Sequence, residues 1–237
     1  MAKYLACYLV SLAFDPSSRN RLTPRDLPRF ATETLFDRVG RVVCEADCLP
    51  RKELYEAWEV ARRVRRRFRG GRVVDLAAGH GLLGALLLLL DATSTEALAV
   101  DPKTPLSAAR LDEALVRRWP RLADRVRRIE ARIDEVVIAP GDLVVSVHAC
   151  GGLTDQVLAQ AIGASADVAV LPCCHDVATS NTGGLEGWMS GPLAVDASRA
   201  ATLRAAGYVV HTQTIPEAIT PQNRLLMATR SRSEPSF

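Results

Sequence analysis

The chain has 237 residues, 48% of them hydrophobic and 24% charged, with a formal net charge of +3. That is enough chain to bury one substantial core, and it is too apolar for a disordered segment. The charge is too mild to single out a nucleic-acid partner, and six cysteines without a regular small-domain framework point to reduced thiols in a cytoplasmic protein.

The longest leucine-rich run, Leu82 to Leu90, is about half of what a membrane span needs, so no membrane partner is expected. Tyr4 to Phe14 is apolar after Lys3, but no small-x-small cleavage site precedes Asp15-Pro16, so it reads as a packed N-terminal helix. Pro16, Pro24 and Pro28 mark residues 15–32 as a loop with one helical turn, and residues 33–50 carry no decisive pattern. Pro50 opens a helix to about Phe68, on which Leu54, Trp58, Ala61, Val64 and Phe68 recur at helical spacing. Its other face reads Arg62, Arg63, Arg65, Arg66, Arg67 and Arg69, and Gly70-Gly71 ends it.

From Val73 the chain reads as a short apolar strand, a small-residue turn, and a helix from about Gly81 carrying Leu82, Leu83, Leu86, Leu87 and Leu90. Ala97 to Val100 is a second strand, closed by Asp101-Pro102, and residues 105–119 form a helix that Pro120 ends. Further strands are expected at 126–133, 142–148 and 168–171, with a helix near 153–163. Residues 176–194, rich in Gly, Ser, Thr and Asn, read as a long loop. A helix near 196–206 and strands at 208–213 and 224–229 complete the pattern. Alternating strands and helices imply an α/β fold with a doubly wound, mostly parallel sheet. The expected division is an extension over 1–50 packed on the core, a main domain over 51–230 and a tail over 231–237.

Asp75, Ala77, Gly79 and Gly81 form the spacing Asp-x-Ala-x-Gly-x-Gly between the first strand and its helix. Small residues let a ligand approach the backbone, and the new helix offers unpaired N–H groups. The dinucleotide fingerprint needs a glycine where Ala77 stands. Asp101, at the end of the next strand, is placed to accept hydrogen bonds from ribose hydroxyls. Two more stretches follow strands directly: Val147-His148-Ala149-Cys150-Gly151-Gly152-Leu153-Thr154-Asp155 and Pro172-Cys173-Cys174-His175.

The spacing from Asp75 to Gly81 resembles motif I of the class I S-adenosylmethionine (SAM) methyltransferases. The two later stretches resemble one branch of that family, with the motifs HACGxLTD and PCCH. That branch holds methyltransferase-like proteins once named for ribosomal RNA adenine dimethylases, and it is similar to the tRNA acceptor-stem 2′-O-methyltransferases. The resemblance covers roughly residues 50–230 and implies the Rossmann-like seven-stranded class I methyltransferase fold. It implies SAM as cofactor, with Asp75, Ala77, Gly79 and Gly81 on the methionine side, Asp101 at the ribose, Ile133 and Asp134 at the adenine, and His148 alongside. The zinc-finger extensions of the tRNA enzymes are missing, and so is the Asn-Pro-Pro-Tyr-like motif of amino-group methyltransferases.

His148, Cys150, Cys173 and His175 are the candidate catalytic residues. Either histidine can serve as a general base. A cysteine can act as a nucleophile if it is a thiolate, the cluster can bind zinc, or the thiols can pack as small hydrophobes; no metal is assigned. His80 reads as a turn residue, and Ile219 to Arg224 as a rim with Asn223 in reach of substrate. The Arg62–Arg69 run is a candidate RNA surface or a solvated face. The expected function is SAM-dependent methyl transfer, most readily to tRNA or rRNA. A protein or small-molecule acceptor, or a non-catalytic nucleotide-binding module, stands as the alternative.

Overall fold

The computed structural model describes residues 14–231, so the expected helix over 4–14, apart from Phe14, and the tail beyond Ser231 lie outside the described residues. Seven strands form one sheet in the order β3-β2-β1-β4-β5-β7-β6. The strands are β1 (Val73–Leu76), β2 (Ala97–Asp101), β3 (Val126–Glu130), β4 (Leu143–Ser146), β5 (Asp167–Val170), β6 (Tyr208–Thr214) and β7 (Arg224–Arg230). Neighbours pair in parallel from β3 through to β5, and β7 runs antiparallel to both β5 and β6. This is the doubly wound, seven-stranded α/β arrangement expected from the sequence. Central strands buried on both faces explain the unbroken apolar runs of β1 and β4.

Among the described residues six α-helices flank the sheet: α1 (Leu35–Ala46), α2 (Arg51–Arg67), α3 (Leu82–Leu90), α4 (Ala108–Arg118), α5 (Gly152–Ala164) and α6 (Gly191–Ala205). α3 is apolar all round because the sheet lies on one side and α2 packs over the other; Leu82 to Leu89 are all buried. Leu22, Phe30, Val39, Val43 and Leu49 join the same buried cluster as α2 and α3.

Helix α1 occupies the stretch that carried no decisive pattern. Its start is a side-chain cap: the Thr34 hydroxyl accepts from the Asp37 N–H at 3.2 Å, while the Asp37 carboxylate accepts from the Thr32 N–H at 2.7 Å. α6 begins at Gly191, inside the expected loop. Its Gly-Pro opening reads as a loop, yet proline is tolerated in a first turn, where its missing N–H has no helical partner.

Candidate active site

The strand order reverses between β1 and β4, and the crevice outside their carboxyl ends is where open α/β sheets bind ligands. The loop from Ala77 to Gly81 leaves β1 there and turns into α3 through three left-handed residues: Ala77 at φ +55°, Gly79 at +52° and Gly81 at +69°. A side chain at Gly81 would also meet the Ala99 Cβ at 3.0 Å. Ala77 holds a conformation that costs a non-glycine residue about 1–2 kcal/mol, at the position where its sequence departs from the three-glycine pattern.

Each carboxylate is built into this loop. The Asp75 side chain is buried; Oδ2 accepts from the Gly84 N–H at 3.3 Å, while Oδ1 is buried with no hydrogen-bond partner among the described residues. Burial pushes its carboxyl up to about 7. Asp101 closes β2 and accepts from the N–H of Gly79 at 3.0 Å and of Lys103 at 3.1 Å. The loop is also held from beneath. Arg128 on β3 donates to the carbonyl of His80 at 2.7 Å, and Asp112 on α4 accepts from it at 2.6 and 2.8 Å. His80 itself pairs through Nε2 with the Ser107 hydroxyl at 2.9 Å, a turn-holding contact. An orphaned acceptor on Asp75, a second carboxylate at the end of β2 and a loop without bulk fit a ligand with an amino group and a ribose. Ile133 buries its side chain in a 3₁₀ turn after β3, and Asp134 points outward to pair with Arg132 at 3.0 Å.

His148 follows β4 and lines a narrow pocket with Ala78, His80, Gly81, Glu53 and Leu49. Burial lowers its imidazole to about 4, helped by the nearby Lys52 charge, so the ring is neutral near pH 7. Glu53, on the first turn of α2, is pushed up to about 7 by burial and then by the Glu56 charge. Glu56 is almost fully buried and pairs with Lys52 at 2.6 Å. The sequence reading missed Lys52, Glu53 and Glu56, because charges beside an apolar stripe read as solvent-facing.

The five expected Cys/His residues separate into three groups. Cys150, Cys173 and Cys174 converge, with sulfur separations of 2.7 Å (150–173), 3.3 Å (150–174) and 3.8 Å (173–174). Burial raises the Cys150 and Cys173 thiols above their ordinary range. A raised thiol stays protonated, which is the opposite of what a covalent nucleophile needs. His148 lines the pocket of the motif I loop. His175 turns toward α6, where its buried ring pairs through Nε2 with Asp196 at 2.7 Å. Asp196 also accepts from Arg224 at 2.6 Å, and Arg199 donates to the Gly151 carbonyl at 3.0 Å and to Asp155 at 2.8 and 2.9 Å. This network ties the loops after β4 and β5 to α6. Asn223 bridges its own hairpin, donating to the Ile215 carbonyl at 3.0 Å.

The arginine run does not form a single exposed face. Arg65 is buried, donating to the Leu87 carbonyl at 3.0 Å and the Ser94 hydroxyl at 2.7 Å. Arg62 pairs with Glu59 at 3.0 Å, Arg63 also pairs with Glu59, and Arg67 contacts His211. Moreover, α2 begins at the pocket and ends at the amino edge of the sheet, so Arg66 and Arg69 stand roughly 20 Å from Glu53 at about 1.5 Å per residue. The cationic side chains near the pocket come from elsewhere. Residues 15–21 run beside the start of α2: the N–H of Lys52 bonds to the Ser18 carbonyl at 3.0 Å, and Arg51 donates to the Asp15 carbonyl at 3.0 Å. Arg19 from this strap is close enough to act on the Glu56 charge.

Comparison with known proteins places the chain in a family. The family model described as a methyltransferase domain matches residues 52–180, more than half of the chain. No curated protein matches it. Among solved structures, an O-methyltransferase family protein from Burkholderia thailandensis is similar at a TM-score of 0.53 and 20% identity, covering 98% of this chain and 71% of that one. A protein from Nostoc punctiforme described as an O-methyltransferase gives 0.51 at 19% identity, covering 86% and 67%. One from Clostridium thermocellum described as an rRNA methylase gives 0.50 at 17%, covering 73% and 94%. These likenesses are of fold. The family match over residues 52–180 carries the conclusion: the chain belongs to the methyltransferase domain family and is a SAM-dependent methyltransferase.

Proposed function

We propose that the enzyme methylates RNA, tRNA or rRNA, and that it belongs to the HACGxLTD/PCCH branch its sequence resembles. The observation that carries the RNA reading is a pair of cations beside the pocket that holds His148: Lys52, whose charge acts on that imidazole, and Arg19, which acts on the neighbouring Glu56. A phosphate-bearing acceptor gains from cations at that mouth, and the exposed end of α2 is too distant to present the reacting atom.

SAM supplies a methyl group already activated on its sulfonium. The chain's own task is to align an acceptor and take its proton. In this reading Asp75 receives the cofactor's amino group at its orphaned oxygen, Ala77, Gly79 and Gly81 leave room for the methionine side, and Asp101 receives the ribose hydroxyls. Ile133 and Asp134 border the adenine. His148 borders both cofactor and acceptor, and receives the proton. Cys150 and Cys173 wall the acceptor side. His175 is a positioning residue that fixes the Cys173-Cys174 loop on Asp196.

The test supplies methyl-labelled SAM to total RNA, protein and small-molecule fractions separately. Nuclease-sensitive label in the RNA fraction is expected, falling at least tenfold in an Arg19→Ala/Lys52→Ala variant while Arg66→Ala/Arg69→Ala stays near wild type. Label confined to protein or small molecules would overturn the RNA assignment.

A further inference from the structure

Cys173 and Cys174 are adjacent in sequence, yet their sulfurs lie 3.8 Å apart on the same side. In a continuing strand successive side chains point to opposite faces. β5 ends at Val170, and residues 171–176 have no regular structure, so both sulfurs turn toward Cys150 on the loop after β4. All three sulfurs lie within 4.8 Å of one another. Two of them, on Cys150 and Cys174, belong to solvent-exposed residues.

We propose that Cys150, Cys173 and Cys174 form a three-thiolate zinc site whose fourth coordination position opens to solvent. A tetrahedral centre with zinc–sulfur bonds of about 2.3 Å sets its sulfurs roughly 3.8 Å apart. One pair already has that separation, at 3.8 Å, and the pairs at 3.3 and 2.7 Å reach it by side-chain rotation on two irregular loops. The donor set selects the metal class: three soft sulfurs suit zinc and disfavour magnesium or calcium, which take oxygen. Binding displaces three thiol protons to solvent and forms three zinc–sulfur bonds, with no change of oxidation state. Three protein ligands leave one position for water or a substrate atom, as in catalytic rather than structural zinc sites.

A supporting shell is already built beneath the sulfurs. The Gly151 N–H reaches the Cys174 carbonyl at 3.4 Å, Arg199 holds the Gly151 carbonyl at 3.0 Å, and His175 anchors the second loop on Asp196 at 2.7 Å. Outer contacts of this kind fix ligand orientation, and losing one typically costs tenfold or more in metal affinity. The site is independent of the RNA assignment and of His148, which lies in the motif I pocket.

The full-length protein, purified reduced under inert gas, is the test material. Elemental analysis after zinc loading and desalting is expected to give one zinc per chain. Cobalt(II) titration should produce a sulfur-to-cobalt charge-transfer band with intensity for three thiolates. Cys150→Ser, Cys173→Ser and Cys174→Ser should each weaken zinc binding about a hundredfold or more, His175→Ala about tenfold, and Cys48→Ala, at a buried cysteine outside the cluster, not at all. Should a serine variant fail to fold, the wild-type protein carries the test alone: zinc should slow alkylation of Cys150, Cys173 and Cys174, mapped by peptide mass. Zinc uptake below a tenth of an equivalent, a cobalt spectrum without the thiolate band, or equal alkylation with and without zinc would overturn the site. So would recovery of Cys150 and Cys173 as a disulfide under inert gas.

Discussion

Arg128 on β3 donates to the His80 carbonyl at 2.7 Å while Asp112 holds its guanidinium at 2.6 and 2.8 Å. The motif I loop is therefore fixed from two sides, by this clamp and by Asp101 accepting from the Gly79 N–H at 3.0 Å. Preorganisation of this kind lowers the ordering cost of binding a ligand over the loop. Arg128→Ala should cost about 1.5–3 kcal/mol of stability, the range for hydrogen bonds to charged groups. It should also weaken SAM binding while leaving the bound-state transfer rate within a few-fold. Chemical denaturation and SAM titration on the same variant check both halves.

Ala77 offers a stabilising change at the same loop. Its φ of +55° is unfavourable for any residue with a Cβ. Ala77→Gly puts a third glycine in the loop beside Gly79 and Gly81 and should raise stability by about 0.5–1 kcal/mol, less the loss of one methyl contact. SAM affinity should stay the same or improve. A lowered melting temperature would show that the alanine methyl, packed against the buried cluster of Val74, Leu76 and Val100, outweighs the backbone strain.

Asp75 predicts a pH dependence of stability. Burial holds its carboxyl at about 7 in the folded chain, against about 3.9 when unfolded. Between those values the folded state binds a proton that the unfolded state does not, so stability falls as pH rises from about 4 to 7 and levels off above. The full effect is on the order of a few kcal/mol. Asp75→Asn should flatten that slope, leaving the folded protein at pH 8 as stable as wild type or more so, while SAM binding weakens. Denaturant titrations of both proteins at pH 5 and pH 8 read it out. Glu53, raised to about 7 for the same first reason, adds to the slope, so the flattening is partial unless Glu53→Gln is combined with it.

How much of this was legible in the sequence differs by residue. Apolar runs, prolines and glycines marked the strands and most helix ends, because burial on both sheet faces leaves a simple pattern. Motif I was legible in its local spacing, and Asp101 because it closes the strand that pairs in parallel with β1 and so ends beside the loop. The clamp was not: Arg128 and Asp112 read as a surface charge on an outer strand and one on a helix, and only β3 packing beside β2 brings them under the loop. Arg65 misled for a related reason. Its periodic position borders the apolar stripe, and its burial depends on acceptors at Leu87 and Ser94, far along the chain. Strand-end topology brought the Cys/His stretches to one edge, but it could not tell that His148 and His175 would turn away from the three sulfurs. Loop conformation after β4 and β5 decides that, and no periodicity encodes it.

The most direct test of the cofactor site is calorimetric titration of S-adenosylhomocysteine into the wild-type protein and into Asp101→Ala. Asp101 stands at the end of β2, with its carboxylate on the Gly79 N–H. The account predicts micromolar binding to wild type, weakened about 10- to 100-fold in the variant, as expected for loss of a charged hydrogen bond worth roughly 1.5–3 kcal/mol. Failure of folded wild-type protein to bind the ligand, or equal binding by the Asp101→Ala variant, would contradict it.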